Sequence, residues 1–202
     1  MIAIIDYGMG NLYSVTKALE KMGAPTRIVA RAAELTGDER ALVLPGVGAF
    51  GKGMEQLRQR GFVEAIPGFV ATGKPFVGIC LGLQLLFEQS VEMGEYRGLG
   101  LFPGRVVRFS GDLVVPHMGW NQVNPVQPVP LLAGVEPGSY AYFVHSYYAL
   151  PADPALVWAT TSYGVEFASV VGRDNVMGLQ FHPEKSQSVG LRILRNLVAS
   201  LK

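Results

Sequence analysis

The stretch "GICLG" holds Cys80, the only cysteine in the chain, between Gly78 and Gly82. A lone thiol closes no intrachain disulfide, so its role is either packing or reactivity. The apolar run "FVGIC" passing into "LGLQLLFE" has the form of a nucleophile elbow: a strand ends, the nucleophile sits on a strained turn, and a helix starts behind it. Glycines on both sides leave room for such a turn. The first N–H groups of a helix, with their partial positive charge, favour a sulfur anion there. The plain alternative is an inert core cysteine, because free Cys is among the most buried residue types. A nearby base would separate the two.

The segment "FHPE" offers that base. His182 and Glu184 stand two apart, and Pro183 between them biases His182 towards an extended backbone, which puts both side chains on one face. A carboxylate beside an imidazole fixes its tautomer and stabilises the imidazolium, as a base paired with a cysteine requires. By itself the segment also reads as a surface histidine in a proline turn. Together with the elbow it points to a Cys80, His182, Glu184 triad for acyl transfer. Such chemistry also needs donors for a developing oxyanion. "PGVGAF", residues 45–50, follows an apolar strand as the elbow does, so in a parallel sheet both reach the same C-terminal edge. The backbone N–H groups of Gly46, Val47 and Gly48, with that of Leu81, are the candidates.

The elements that must carry these residues are legible from periodicity. Ile2 to Ile5 form an apolar run ending at "DYGMGN", after which Leu12, Val15, Leu19 and Met22 recur at helical spacing and Gly23 marks a stop. Ala41 to Leu44 form a second buried strand, followed by a Gly-rich turn and a helix through Met54 and Leu57. The elbow is the third such unit. Three strand-loop-helix units predict an α/β fold with a largely parallel central sheet flanked by helices. From about residue 100, "RVVRF", "SYAYFVHSYYAL", "ALVWATT" and "VEFASVV" alternate between turn residues. They predict a smaller antiparallel portion, either at the edge of one mixed sheet or as a second sheet. "VMGLQFHP" predicts a buried strand, and Ser186 an N-cap for a last helix carrying Val189, Ile193, Leu197 and Leu201. No repeat or linker interrupts the chain, so one domain over 1–202 is expected.

Composition narrows the class. The apolar share is 49% and the formal charge +1, which leaves no electrostatic footprint for nucleic acid or an anionic membrane. No apolar run reaches the roughly 20 residues that span a bilayer. The start lacks a basic region and a small-residue cleavage site, so a cytoplasmic protein is expected. The three histidines and one cysteine show no metal-ligand spacing. "GMGN" lacks the full G-x-G-x-x-G run of a dinucleotide site, and no cofactor is expected. The residues alone leave open a cysteine-elbow hydrolase of another substrate class, although there the acid usually precedes the histidine. They also leave open a non-catalytic subunit that keeps the fold.

"PGVGAF", "GICLGLQLLFE" and "FHPEKS" stand in an order and at separations that resemble the class I, triad-type glutamine amidotransferases across nearly the whole chain. "DYGMGNLYSV", "PHMGWN" at 116–121 and "YFVHSY" at 142–147 resemble, more narrowly, the glutaminase subunits of imidazole glycerol phosphate synthases. The resemblance implies a class I amidotransferase, flavodoxin-like fold, and hydrolysis of L-glutamine to glutamate and ammonia through a Cys80 thioester, with His182 protonating the departing ammonia. It implies that Gln84 helps hold substrate, that Glu92 meets the glutamine α-amino group, and that the backbone of His145, Ser146 and Tyr147 receives its α-carboxylate. It also implies a heterodimer with a cyclase subunit, a (β/α)8 barrel that receives the ammonia. Asn11, Met118, Trp120, Tyr142 and Lys185 would lie on the docking face. Ala49 stands where some relatives carry His or Ser, so the oxyanion contacts are expected to be backbone ones.

Overall fold

The computed structural model describes residues 1–201. Four strands near the start, β1 (Ile2–Ile5), β2 (Thr26–Val29), β3 (Ala41–Gly46) and β4 (Phe76–Cys80), are separated by α1 (Leu12–Lys21), α2 (Phe50–Gln59) and α3 (Phe62–Ala71). A short α4 (Leu81–Leu85) follows β4 directly. Next come β5 (Phe87–Ser90), β6 (Tyr96–Arg97), β7 (Phe102–Arg108), β8 (His117–Pro125), β9 (Ser139–His145) and β10 (Tyr147–Pro151). The chain continues through β11 (Val157–Tyr163), β12 (Val165–Arg173) and β13 (Val176–Leu179) to α5 (Gln187–Ala199).

The large sheet runs β2-β1-β3-β4-β13-β12-β11-β8-β9. It is parallel from β2 to β13 and antiparallel beyond. The smaller sheet runs β10-β7-β5-β6 and mixes both senses. Successive side chains of a strand point to opposite faces, and β1 divides accordingly. Ile2 and Ile4 join the core beneath α1 and α5, with Val15, Leu19, Ile193 and Leu197. Ala3 and Ile5 join the core of the other face, with Phe50, Leu57 and Phe62 of α2 and α3. A sheet covered on both faces needs strands that are apolar throughout, and β1, β3, β4 and β13 are wholly buried.

Several features depart from the sequence expectations, the edge strand β2 among them, which no apolar run announced. Helix α3 was not legible because Pro67 and Gly68 interrupt it; Phe62, Ile66 and Phe69 hold it through buried contacts while both interrupters face solvent. The helix after the elbow spans only Leu81–Leu85, since Phe87 already belongs to β5. Ser186 stands at the N-cap position of α5 without capping it. Its Oγ donates instead to the His182 carbonyl at 2.6 Å and accepts from Tyr142 N–H at 2.9 Å. The expected antiparallel portion takes both of its forms, as the far half of the large sheet and as the second sheet. "SYAYFVHSYYAL" supplies one strand to each, with the break at Ser146.

Candidate active site

The register of the central strands sets Gly46 beside Cys80 and Leu179 beside Ile79. The 46–48 loop, the elbow and the segment leading to His182 therefore leave the sheet side by side at one edge. Cys80 has φ 54° and ψ −108°, a conformation that L-residues rarely adopt. Strain of this kind costs roughly 1–3 kcal/mol and persists where the surroundings over-determine it. Here the surroundings are backbone: a Cβ on Gly82 would collide with the Leu44 carbonyl, and one on Gly78 with the Gly82 carbonyl. Only glycine lets α4 start so close to the sheet.

His182 Nδ1 meets Glu184 Oε1 at 2.9 Å, and both side chains are buried. The two meet by a different route from the one expected. Only His182 is extended; Pro183–Lys185 form a 3-10 turn that swings Glu184 back beneath the imidazole. His182 N–H donates to the Tyr142 carbonyl at 3.0 Å, tying the turn to β9. The remaining ring nitrogen, Nε2, is buried without a hydrogen-bond partner. Burial pulls the His182 pKa down, but Cys80 and then Glu184 outweigh it and hold it up at about 9. No hydrogen bond of normal geometry joins Cys80 Sγ to the imidazole.

That shift carries a sign. A histidine whose pKa is raised by folding gives stability that is complete below about pH 6.5 and lost as pH rises through about 9. An activity that uses this proton for general acid catalysis is expected to fall as pH rises through about 9. A pH profile of kcat/KM checks this, and a profile flat well beyond pH 9 would show that the proton is not used.

Cys80 opens on a cavity of about 310 Å³ lined by Val47, Gly48, Leu81, Gln84, Glu92 and the 144–147 segment. That lies at the small end of ligand-site volumes. Three of the four expected oxyanion residues line it; Gly46 lies in the ladder behind them. Leu81 opens α4, and the first N–H groups of a helix have no intrahelical acceptor. All five expected substrate residues line it as well. Gln84 is no helix-surface amide. It is buried, and its Nε2 donates to the Tyr147 carbonyl at 2.8 Å and to Gln180 Oε1 at 3.2 Å. Glu92 Oε2 accepts from Phe50 N–H at 2.6 Å, capping α2 where Ala49 has no side chain to do so. Its second oxygen stays available to a ligand.

Two residues escaped sequence reasoning. Gln180 is fully buried and directs Nε2 at Cys80 Sγ, 3.9 Å away. A lone amide inside the apolar run "VMGLQF" was the available signal. Tyr7 is buried with an unpartnered hydroxyl, and its pKa is raised by burial and then by Cys80. Among the expected docking residues, Met118 and Trp120 are exposed at 62% and 46% although both are large and apolar. Trp120 pairs with Tyr142 across β8 and β9, and Lys185 lies 5.8 Å over the Tyr142 ring. Asn11 is exposed and accepts from Ser14 N–H at the start of α1.

The family model for "Glutamine amidotransferase class-I" matches residues 3–201. This chain belongs to the class I glutamine amidotransferases. Among curated relatives it is 56% identical to a Syntrophotalea carbinolica protein over 97% of this chain and 98% of that one. It is 51% identical to one from Geobacter sulfurreducens over 96% of each. Both are named "Imidazole glycerol phosphate synthase subunit HisH". Among solved structures, PurLQS from Thermotoga maritima superposes with a TM-score of 0.80 over 100% of this chain and 98% of that one, at 22% identity. A structure described as a glutamine amidotransferase gives 0.77 at 20% identity. At those identities the likeness is one of fold. The strained cysteine opens on the cavity, and the imidazole held by a carboxylate lies outside the cavity lining. Among the described residues no cluster of His, Cys, Asp or Glu suits a metal, and no helix is long and apolar enough to cross a membrane.

Proposed function

We propose that this chain is the glutaminase subunit of an imidazole glycerol phosphate synthase, a single amidotransferase domain acting in the cytoplasm on L-glutamine. The observation that carries the chemistry is the buried His182–Glu184 pair, which leaves Nε2 free and the Cys80 sulfur near enough to raise its pKa. Cys80 Sγ attacks the side-chain amide carbon. The resulting oxyanion is received by backbone N–H groups of the 46–48 loop and of Leu81, and a donor of this kind is worth roughly 3–4 kcal/mol of barrier. His182 protonates the amine as the C–N bond breaks, releasing ammonia and leaving a glutamyl thioester. Water, giving its proton to His182, then cleaves the thioester and frees glutamate. Glu92 meets the α-amino group, and the 145–147 backbone meets the α-carboxylate.

Ammonia in neutral water is mostly ammonium and a poor nucleophile, which favours delivery within a complex. The (β/α)8 cyclase subunit is the proposed receiver. There ammonia reacts with a ribulosyl intermediate to give imidazole glycerol phosphate and aminoimidazole carboxamide ribotide, a step of histidine biosynthesis. The exposed Met118 and Trp120, with Tyr142, Lys185 and Asn11, form the proposed docking face, since large apolar side chains in solvent mark interaction surfaces. The test is to mix the chain with the cyclase and its ribulosyl substrate and to follow glutamate and imidazole glycerol phosphate together. Equimolar formation is expected. Glutamate release with no imidazole product would assign the glutaminase to a different synthase.

A further inference from the structure

Two of the three histidines take no part in the triad, yet they link strand β8 to the pocket. His117 on β8 and His145 on β9 face each other directly in the ladder, and both are buried. The hydrogen bonds around them admit one consistent set of protons. His145 Nδ1 lies 2.8 Å from the Tyr147 carbonyl, which can only accept, so Nδ1 carries the proton. In the neutral ring Nε2 is then an acceptor. It is met at 3.0 Å by His117 Nδ1, which must hold its own proton. His117 Nε2 accepts in turn from the Asn121 amide at 3.1 Å. The orientation of that amide is set by its other bonds, Nδ2 to the Ser162 carbonyl and Oδ1 from Gln122 N–H. Burial holds both rings neutral, pushing His117 down to about 4 and His145 to about 3.

The chain of donors ends at the pocket. The Ser146 carbonyl accepts from Phe109 N–H at 3.1 Å, which makes Tyr147 and Arg108 a non-hydrogen-bonded pair of the β7–β10 ladder. The N–H and C=O of Tyr147 therefore both point away from β7. The carbonyl is held by two donors, His145 Nδ1 and Gln84 Nε2, and the N–H remains for a ligand.

We propose that His117 is a positioning residue for glutamine: by donating to His145 it fixes the tautomer that grips the Tyr147 carbonyl, and so keeps the Tyr147 N–H aimed at the substrate α-carboxylate. This rests on the reading of residues 145–147 as the carboxylate subsite. A role in packing alone is separable, because the His117 ring stacks on Phe143 and Tyr163, with centroids 5.0 and 4.1 Å away. Phenylalanine keeps that stacking and loses the donor, whereas asparagine restores a donor near Nδ1.

The experiment compares His117→Phe and His117→Asn in the complex with the cyclase. His117→Phe should raise the glutamine KM about tenfold, the scale of one net hydrogen bond, with kcat within about twofold of wild type. His117→Asn should recover most of the KM. An unchanged KM in His117→Phe, or a loss confined to kcat, overturns the proposal. Side-chain 15N spectra of the wild-type chain test it without any variant. Both rings must be neutral Nδ1–H tautomers at neutral pH, and an Nε2–H tautomer at either ring overturns the relay. Failure of the subsite reading has its own signature. In a Cys80→Ala chain, glutamine should shift the Tyr147 amide resonance. A silent amide alongside the expected tautomers would mean that the carboxylate lies elsewhere, and the substrate role of His117 would fall with it.

Discussion

Replacing Cys80 with alanine is expected to lower glutamine-dependent synthesis by about 10⁴-fold or more while leaving ammonia-dependent synthesis within about twofold of wild type. The size of the loss follows from the mechanism. The thioester splits one difficult hydrolysis into two easier steps, and no other nucleophile is placed to replace it, since Cys80 is the only cysteine in the chain. The selectivity follows from the architecture. Ammonia supplied from solution needs the cyclase and an intact docking face, and the cavity at Cys80 contributes nothing to that route. Cys80 has φ 54°, so alanine inherits the backbone strain without its purpose. A fold check by thermal melting therefore belongs beside the assay. Glutamine-dependent synthesis that survives the substitution would reduce this chain to a scaffold, and equal losses with glutamine and with ammonia would report damage to the fold.

The second large effect is expected on adding the partner. Val47 stands between two glycines in the proposed oxyanion loop, and Gly48 has φ 102°, a conformation open to glycine and costly for other residues. Rotation of a peptide there is cheap, so the loop can hold its N–H away from the cavity until docking favours the inward orientation. One oxyanion donor is worth about 10²–10³ in kcat. Glutamate release should rise by about that factor when the cyclase is added with its ribulosyl substrate or an analogue. Equal rates with and without the partner would mean that the donors are already in place. The link from the proposed docking face to His182 is short: Lys185 lies over Tyr142, directly follows Glu184, and shares the 3-10 turn with it.

The inner strands of the parallel half were readable from sequence because strands buried on both faces have to be continuous apolar runs, as "IAII", "ALVL" and "FVGIC" are; the edge strand β2, "TRIV", is only partly buried and did not stand out. Helix α3 was not, since Pro67 and Gly68 argue against a helix locally and only the packing of Phe62, Ile66 and Phe69 overrides them. The break at Ser146 was also hidden. Strands β9 and β10 have the same alternating texture on either side of it, and only the pairing assigns them to different sheets. At the site, Cys80 and His182 stood out as candidates for nucleophile and base through residue type and spacing. Their supports did not. Gln180 stands in an apolar run where a buried amide looks like any other core position, and Tyr7 stands in the Gly-rich loop "DYGMGN", where its burial was not visible. His117 and His145 lie 28 residues apart, and only the β8–β9 register brings them to 3.0 Å.

A diazoketone analogue of glutamine tests most directly whether Cys80 is a nucleophile facing a cavity that takes glutamine. The partner-bound chain should gain the mass of one adduct, located on Cys80 by peptide mapping, with glutamine-dependent activity lost in step and excess glutamine protecting both. No adduct, an adduct at another residue, or labelling that glutamine does not slow would contradict the account.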